Sequence, residues 1–178
     1  MNPAERDILH SLDELLQREI VRDAIQPVVE RVEGKLEAEP SAVMAWEPLP
    51  LSIYSNPLPA FIRSSWVFIL RARTTTGAER HPNSHQRMMS FRGAGDMQTG
   101  GPGHWKSNPL VSSRDADWHR RWISIPTNVW HQCVVPDANW VVVSFQTVPA
   151  HELIEERPDD AASVGTKQRL YVSPEKRN

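Results

Sequence analysis

The residues best suited to chemistry lie in a polar segment at residues 77–95. Within seven residues it sets Glu79, His81 and His85 around a proline-containing bend. Imidazole and carboxylate are ligand types that Zn, Fe, Mn and Ni share, and their close spacing suits one ion. The alternative is a polar turn before a strand, with two surface histidines. A further histidine, His131, follows a Pro-x-Asn turn and favours the metal site.

Strand-like segments flank these residues and would position them. Residues 65–73 form an aromatic and aliphatic run typical of a strand. After the bend the chain alternates, and period-two counting places His85, Arg87, Met89 and Phe91 on one face. We expect that face to point into the protein, so that its side chains line a cavity.

More strands are predicted further along the chain. They cover residues 118–125, 130–135 and 140–148, with short pieces at 96–98 and 169–172. Glycines at 93 and 95 allow a tight turn before the first short piece. Residues 99–117 are predicted to form a long loop, a natural candidate for a lid, although a loop of this length can also be disordered.

Residues 3 to about 38 have the pattern of an amphipathic helix. Apolar residues recur at three- and four-residue steps from Leu9 to Leu36, with charged residues opposite. Pro27 predicts a kink, or two helices meeting near Gln26, because proline interrupts the hydrogen-bond ladder. The apolar stripe packs either on its own domain or on a second subunit, so a homodimer contact is the alternative.

Composition excludes several classes of function. The 178 residues carry a formal net charge of −2, which gives no general attraction to nucleic acid or to an anionic membrane. No apolar run approaches the length of a membrane span, and no secretory signal is recognisable. The single cysteine, Cys133, rules out an internal disulfide. We therefore expect a cytoplasmic protein.

With both ligand segments placed, the chain resembles the cupin superfamily. The family motifs are Gly-x5-His-x-His-x3–4-Glu-x6-Gly and Gly-x5-Pro-x-Gly-x2-His-x3-Asn. Here the first corresponds to Glu79-x-His81-x3-His85 followed by Gly93 one residue late, and the second to Pro126-x-Asn128-x2-His131. The resemblance covers roughly residues 65–148. It departs from the family in that Glu79 stands at the first histidine position and His85 at the glutamate position.

The resemblance implies an all-β fold, a cupin-type antiparallel β-barrel or jelly roll. Residues 1–40 would be an N-terminal helical extension, residues 41–150 the barrel and residues 151–178 a C-terminal extension on its surface. It also implies one divalent transition metal ion, Fe first with Mn, Ni and Zn as alternatives, held by Glu79, His81, His85 and His131. If Glu79 points away, a three-histidine site remains.

The residues beside these ligands are candidates for substrate binding. Cys133 shares a face with His131 and is expected to line the cavity, together with Met89 and Phe91. The thiol is otherwise a small buried hydrophobe. Arg87 would anchor a substrate anion, or point outward if a bulge follows the bend. His104 and His119 are candidates for an acid or base at the cavity mouth.

Three functions are compatible with these predictions. The first is a mononuclear non-haem iron enzyme of the dioxygenase type acting on a small organic substrate. The second is a non-catalytic cupin that binds a metal or ligand as a sensor or structural element. The third is an isomerase of a sugar-like substrate, which needs a more polar cavity than this alternation provides.

Overall fold

The computed structural model describes residues 2–54, 58–101, 103–159 and 166–171. Within these residues the chain forms two α-helices followed by ten β-strands. The helices are α1 (Pro3–Gln17) and α2 (Glu19–Ala38). The strands are β1 (Met44–Leu49), β2 (Ser64–Leu70), β3 (Gln86–Arg92), β4 (Ala94–Gly100), β5 (Pro109–Val111), β6 (Trp122–Ile125), β7 (Trp130–Val134), β8 (Trp140–Gln146), β9 (Ile154–Pro158) and β10 (Thr166–Leu170).

The helical prediction is confirmed in extent but was wrong about where the helix breaks. The Asn2 side chain caps α1 by accepting a hydrogen bond from the Glu5 amide at 2.8 Å. Helix α1 ends at Arg18, whose ψ of 130° is extended, whereas α2 continues through Pro27. The break changes the phase of the apolar stripe, so Ile20 is left 70% exposed. Buried residues on both sides of Pro27 hold α2 on the sheet.

The strands pair antiparallel in sheets of five, three and two. Their orders are β1-β2-β8-β3-β6, β5-β4-β7 and β10-β9. One core cluster lies between the helices and the five-stranded sheet, and a second contains residues from the other face of that sheet and from β4 and β7. The expected mostly β body with an N-terminal helical unit is confirmed, and that unit packs on its own chain. A contact between two copies stays a prediction.

Several strand predictions need correction at their ends. Residues Trp118–Arg120 form a short 3₁₀ turn, and the strand begins at Trp122. The expected 99–117 loop contains β5, and the short piece at 96–98 is the middle of the longer β4. The late strand runs from Thr166 to Leu170 rather than over 169–172, and residue 172 lies outside the described residues. The tight turn before β4 is confirmed by Gly93 at φ 88°.

Candidate metal centre

Three predicted ligands meet in the interior: Glu79, His81 and His131. One donor atom from each lies within 4.8 Å of the other two. Two backbone hydrogen bonds set Glu79 opposite His131, with the amide of each donating to the carbonyl of the other at 2.9 and 2.8 Å. The amide of Asn128 donates to the His81 carbonyl at 3.1 Å. Asn128 has φ 64°, so this turn uses the left-handed conformation that asparagine tolerates.

Backbone carbonyls orient both histidine rings. His81 Nδ1 lies 2.9 Å from the Ile154 carbonyl, and His131 Nδ1 lies 3.0 Å from the Val129 carbonyl. A carbonyl only accepts, so each Nδ1 carries the hydrogen and each Nε2 keeps its lone pair. Burial, together with the neighbouring His131, lowers the pKa of His81 and favours the neutral ring that a metal requires. The two rings are therefore held ready to bind an ion.

Glu79 supplies negative charge to the cluster. Its Oε1 lies 3.5 Å from His131 Nε2, and its Oε2 accepts a 2.6 Å hydrogen bond from Arg157 Nη2. Burial alone would raise the pKa of Glu79, but the close approach of His131 and His81 and the positive charge of Arg157 outweigh it. The pKa of Glu79 falls to about 2, so the side chain is a carboxylate.

A small cavity of about 20 Å³, here called the metal cavity, adjoins the cluster. Its volume is large enough for an ion or a single water. Its wall includes Met88, Met97 and Leu153, which keep bulk water away. Three buried polar atoms around it have no partner among the described residues: His131 Nε2, Gln86 Oε1 and the Tyr171 hydroxyl. Because buried polar atoms are normally satisfied, these residues fit a bound metal ion with its coordinating groups.

His85 is not part of the cluster, which corrects the four-ligand and three-histidine sets. Its Nε2 lies 2.6 Å from Ser124 Oγ and 3.6 Å from Glu5 Oε1, on the side of β3 that faces the helices. The strand was expected to turn this face inward. Both faces of β3 are buried, because the N-terminal helices cover the outer one. Alternation therefore does not show which face lines the cavity.

For the same reason, three residues that were expected to bind substrate lie outside the cavity. Arg87 forms two hydrogen bonds with Glu5, at 2.8 and 2.7 Å, and Met89 and Phe91 pack in the core beneath the helices. Cys133 does line the cavity, as expected. Burial, and then the charge of Glu79, raises the pKa of its thiol far above the ordinary value, so it behaves as a small apolar group.

Residues 104 and 119 were candidates for an acid or base at the cavity mouth. Both side chains are exposed, and neither lines the cavity beside the cluster. His119 instead contributes to a separate cleft near α1.

Gln86 is the cavity residue that the motif comparison missed. It opens β3, and its side chain lines the same cavity as Glu79 and His81. The family motif allows three or four residues before its acidic position, and four residues lead from His81 to Gln86. With this choice six residues separate Gln86 from Gly93, and the displaced glycine returns to register. Arg157 and Tyr171 lie outside both motifs, and no pattern in the sequence indicated that they would lie beside the cluster.

Comparison with known proteins adds structural similarity only. No protein-family model and no curated protein matches the chain. Among solved structures, pumpkin seed globulin shares 16% identity at TM-score 0.49, covering 66% of this chain and 28% of its own. Salicylate 1,2-dioxygenase from Pseudaminobacter salicylatoxidans shares 15% at TM-score 0.48, covering 67% and 32%. The capsular polysaccharide assembling protein CapF from Staphylococcus aureus shares 13% at TM-score 0.42, covering 49% and 23%.

This chain thus spans about a quarter to a third of the length of those proteins, and such similarity identifies no activity. The resemblance to the cupin superfamily rests on the antiparallel sheets and on the meeting of the two motif segments at one cluster. Among the described helices, none combines the length and apolar character needed to cross a membrane.

Proposed function

We propose that this protein is a metal-binding cupin whose Glu79, His81 and His131 hold one divalent transition ion, with Fe(II) as the first candidate. The observation that carries the proposal is a buried set of two imidazoles and one carboxylate with donors within 4.8 Å. Two histidines and a carboxylate with open positions are the ligand set of non-haem iron oxygenases. The five- and three-stranded sheets would form the two sides of the cupin jelly roll.

The ion would supply a site where dioxygen and a small organic substrate meet, and the chain supplies the surroundings. His81 and His131 bind through Nε2, because their Nδ1 atoms are engaged with carbonyls. Arg157 holds one oxygen of Glu79, leaving Oε1 on the side of His131. Gln86 offers an amide oxygen in the same cavity, which we assign as a fourth donor.

Elemental analysis of the purified protein tests the metal site. We expect about one equivalent of a transition metal in the wild type and loss of it in His81→Ala and His131→Ala. His85→Ala is the matched control, because this ring lies outside the cluster, and it should keep the metal. Metal retained in both ligand variants, or lost equally in His85→Ala, would contradict the site.

Oxygen consumption tests the reaction. Protein loaded with Fe(II) under anaerobic conditions and then mixed with O₂ and a panel of diketones, thiols and catechols should consume O₂ with at least one of them. His131→Ala should not. If the loaded protein holds iron but consumes no O₂, the oxygenase part of the proposal fails while the metal site stands.

A non-catalytic role is the second candidate, and the size of the cavity favours it. A volume of about 20 Å³ admits an ion or one water but no organic substrate in this conformation. Structural ions are typically fully coordinated by protein. In that case metal removal would lower the melting temperature, and no substrate of the panel would change the spectrum of the bound Co(II) or Fe(II).

A further inference from the structure

A second and much larger cavity lies outside the metal centre, against the N-terminal turn of α1. This outer cleft has a volume of about 680 Å³. Small-molecule sites typically occupy about 300–1,000 Å³. The outer cleft is lined by residues of α1, of β6 and of the segment around residues 106–110. His85, the neighbour of Gln86, faces this cleft rather than the metal cavity.

Three residues that line the outer cleft, Glu5, His85 and Ser124, belong to one connected polar network. The Glu5 carboxylate accepts two hydrogen bonds from the buried Arg87, at 2.8 and 2.7 Å, and one from Ser124 Oγ at 2.6 Å. Ser124 therefore receives its second hydrogen bond from His85 Nε2, at 2.6 Å. Since Ser124 gives its hydrogen to Glu5, it is not a nucleophile activated by His85. The network is balanced in charge, because the Arg87 guanidinium pairs with the Glu5 carboxylate.

The outer cleft also contains two exposed cations. Lys106 and Arg120 are among its lining residues, and neither forms an ion pair with any residue that the structure describes. The charge of Glu5 is already balanced by Arg87. His119 lies 3.9 Å from Asp117, but both side chains are largely exposed, so this contact is weak. Apolar side chains also line the outer cleft, Leu110, Trp122 and Val129 among them.

We propose that the outer cleft binds a small organic anion whose carboxylate pairs with Lys106 and Arg120 and whose apolar ring packs on Leu110, Trp122 and Val129. Apolar walls with a few placed polar groups are the usual composition of a small-molecule site. The two cations supply charge complementarity, which is screened by salt because both are exposed. This site is separate from the candidate metal centre, because the successive residues His85 and Gln86 line two different cavities.

Calorimetric titration with 2-naphthoate and its neutral counterpart 2-naphthamide tests the site. Metal is first removed with a chelator, so that the carboxylate cannot coordinate an ion. We expect 2-naphthoate to bind once per chain and at least tenfold more tightly than the amide at low salt. The double variant Lys106→Ala, Arg120→Ala should lose this advantage of the carboxylate.

Two controls separate this result from other causes. Arg73→Ala removes an exposed cation outside the outer cleft and should leave the carboxylate advantage intact. His131→Ala should also leave it intact, even where that variant has lost all metal. Equal affinity for naphthoate and naphthamide, or a carboxylate advantage that survives in the double variant at an unchanged melting temperature, would overturn the proposal.

Discussion

Arg157 contacts both a proposed metal ligand and a second carboxylate. Its effect on metal binding can therefore be tested separately from its effect on the fold. Its side chain donates to Glu79 and also to the buried Glu155, whereas Arg169 donates to Glu155 alone. Groups that orient metal ligands typically contribute about 10–100-fold to metal affinity. We expect Arg157→Met to weaken metal binding by that factor in a chelator competition, while Arg169→Met remains close to wild type. Equal weakening in both variants would assign the effect to Glu155 instead.

The second prediction at the scale of single residues concerns Gln86. If its amide oxygen is a metal donor, Gln86→Leu should lower metal affinity by about tenfold, close to 1.4 kcal/mol. Met88→Leu is the matched control, because Met88 lines the same cavity from the same strand without an oxygen donor. The visible spectrum of bound Co(II) should change in Gln86→Leu and not in Met88→Leu. An unchanged spectrum and affinity in Gln86→Leu would remove this residue from the site.

At the scale of elements, the buried carboxylate of Asp13 links α1 to Arg121 and to Trp122, the first residue of β6. Asp13 accepts hydrogen bonds from Arg121 at 2.9 and 2.5 Å and from the Trp122 indole at 2.8 Å. Removing one partner of a buried charge pair typically costs about 3–5 kcal/mol. Asp13→Ala should therefore lower the free energy of unfolding by that amount in a urea titration. Glu14→Ala, on the exposed side of α1, should change it little.

The same contact predicts how stability depends on pH. Burial raises the pKa of Asp13, but hydrogen bonds from Arg121 and Trp122 outweigh it, so the pKa in the folded state is lowered. The unfolded chain, with an ordinary pKa of about 3.9, then takes up its proton first as the pH falls. The stabilisation is full above about pH 5 and is lost in more acidic solution. Wild type should lose more stability than Asp13→Asn between pH 5 and pH 3.

The limits of sequence prediction are also visible in individual elements. Glu79, His81 and His131 could be predicted because their spacing around two turns is independent of how the strands are covered. The inward face of β3 could not be predicted, because the helices bury its outer face and both faces mix apolar and polar residues. The end of α1 at Arg18 carries no proline or glycine, so nothing local marked it. These errors arise from packing between elements distant in sequence.

At the scale of the whole molecule, metal binding should stabilise the fold. The ligands come from the segment before β3 and from β7, while His81 is oriented by β9. An ion that binds only the folded chain adds about 2.7 kcal/mol at a hundredfold excess over its dissociation constant. We expect Zn(II) or Fe(II) to raise the melting temperature of wild type and His85→Ala, but not of His131→Ala. Equal shifts in all three would show binding elsewhere.

The contact of Glu5 with Arg87 and Ser124 has a consequence for the register of β3. A shift of one residue in a strand moves every side chain to the opposite face. Such a shift would exchange His85 and Gln86 between the outer cleft and the metal cavity. Glu5 opposes such a shift, because its carboxylate accepts hydrogen bonds from Arg87 in β3 and from Ser124 in the neighbouring β6. The first turn of α1 thus helps to fix which side chains line the candidate metal site, although it contributes none of the three clustered residues itself.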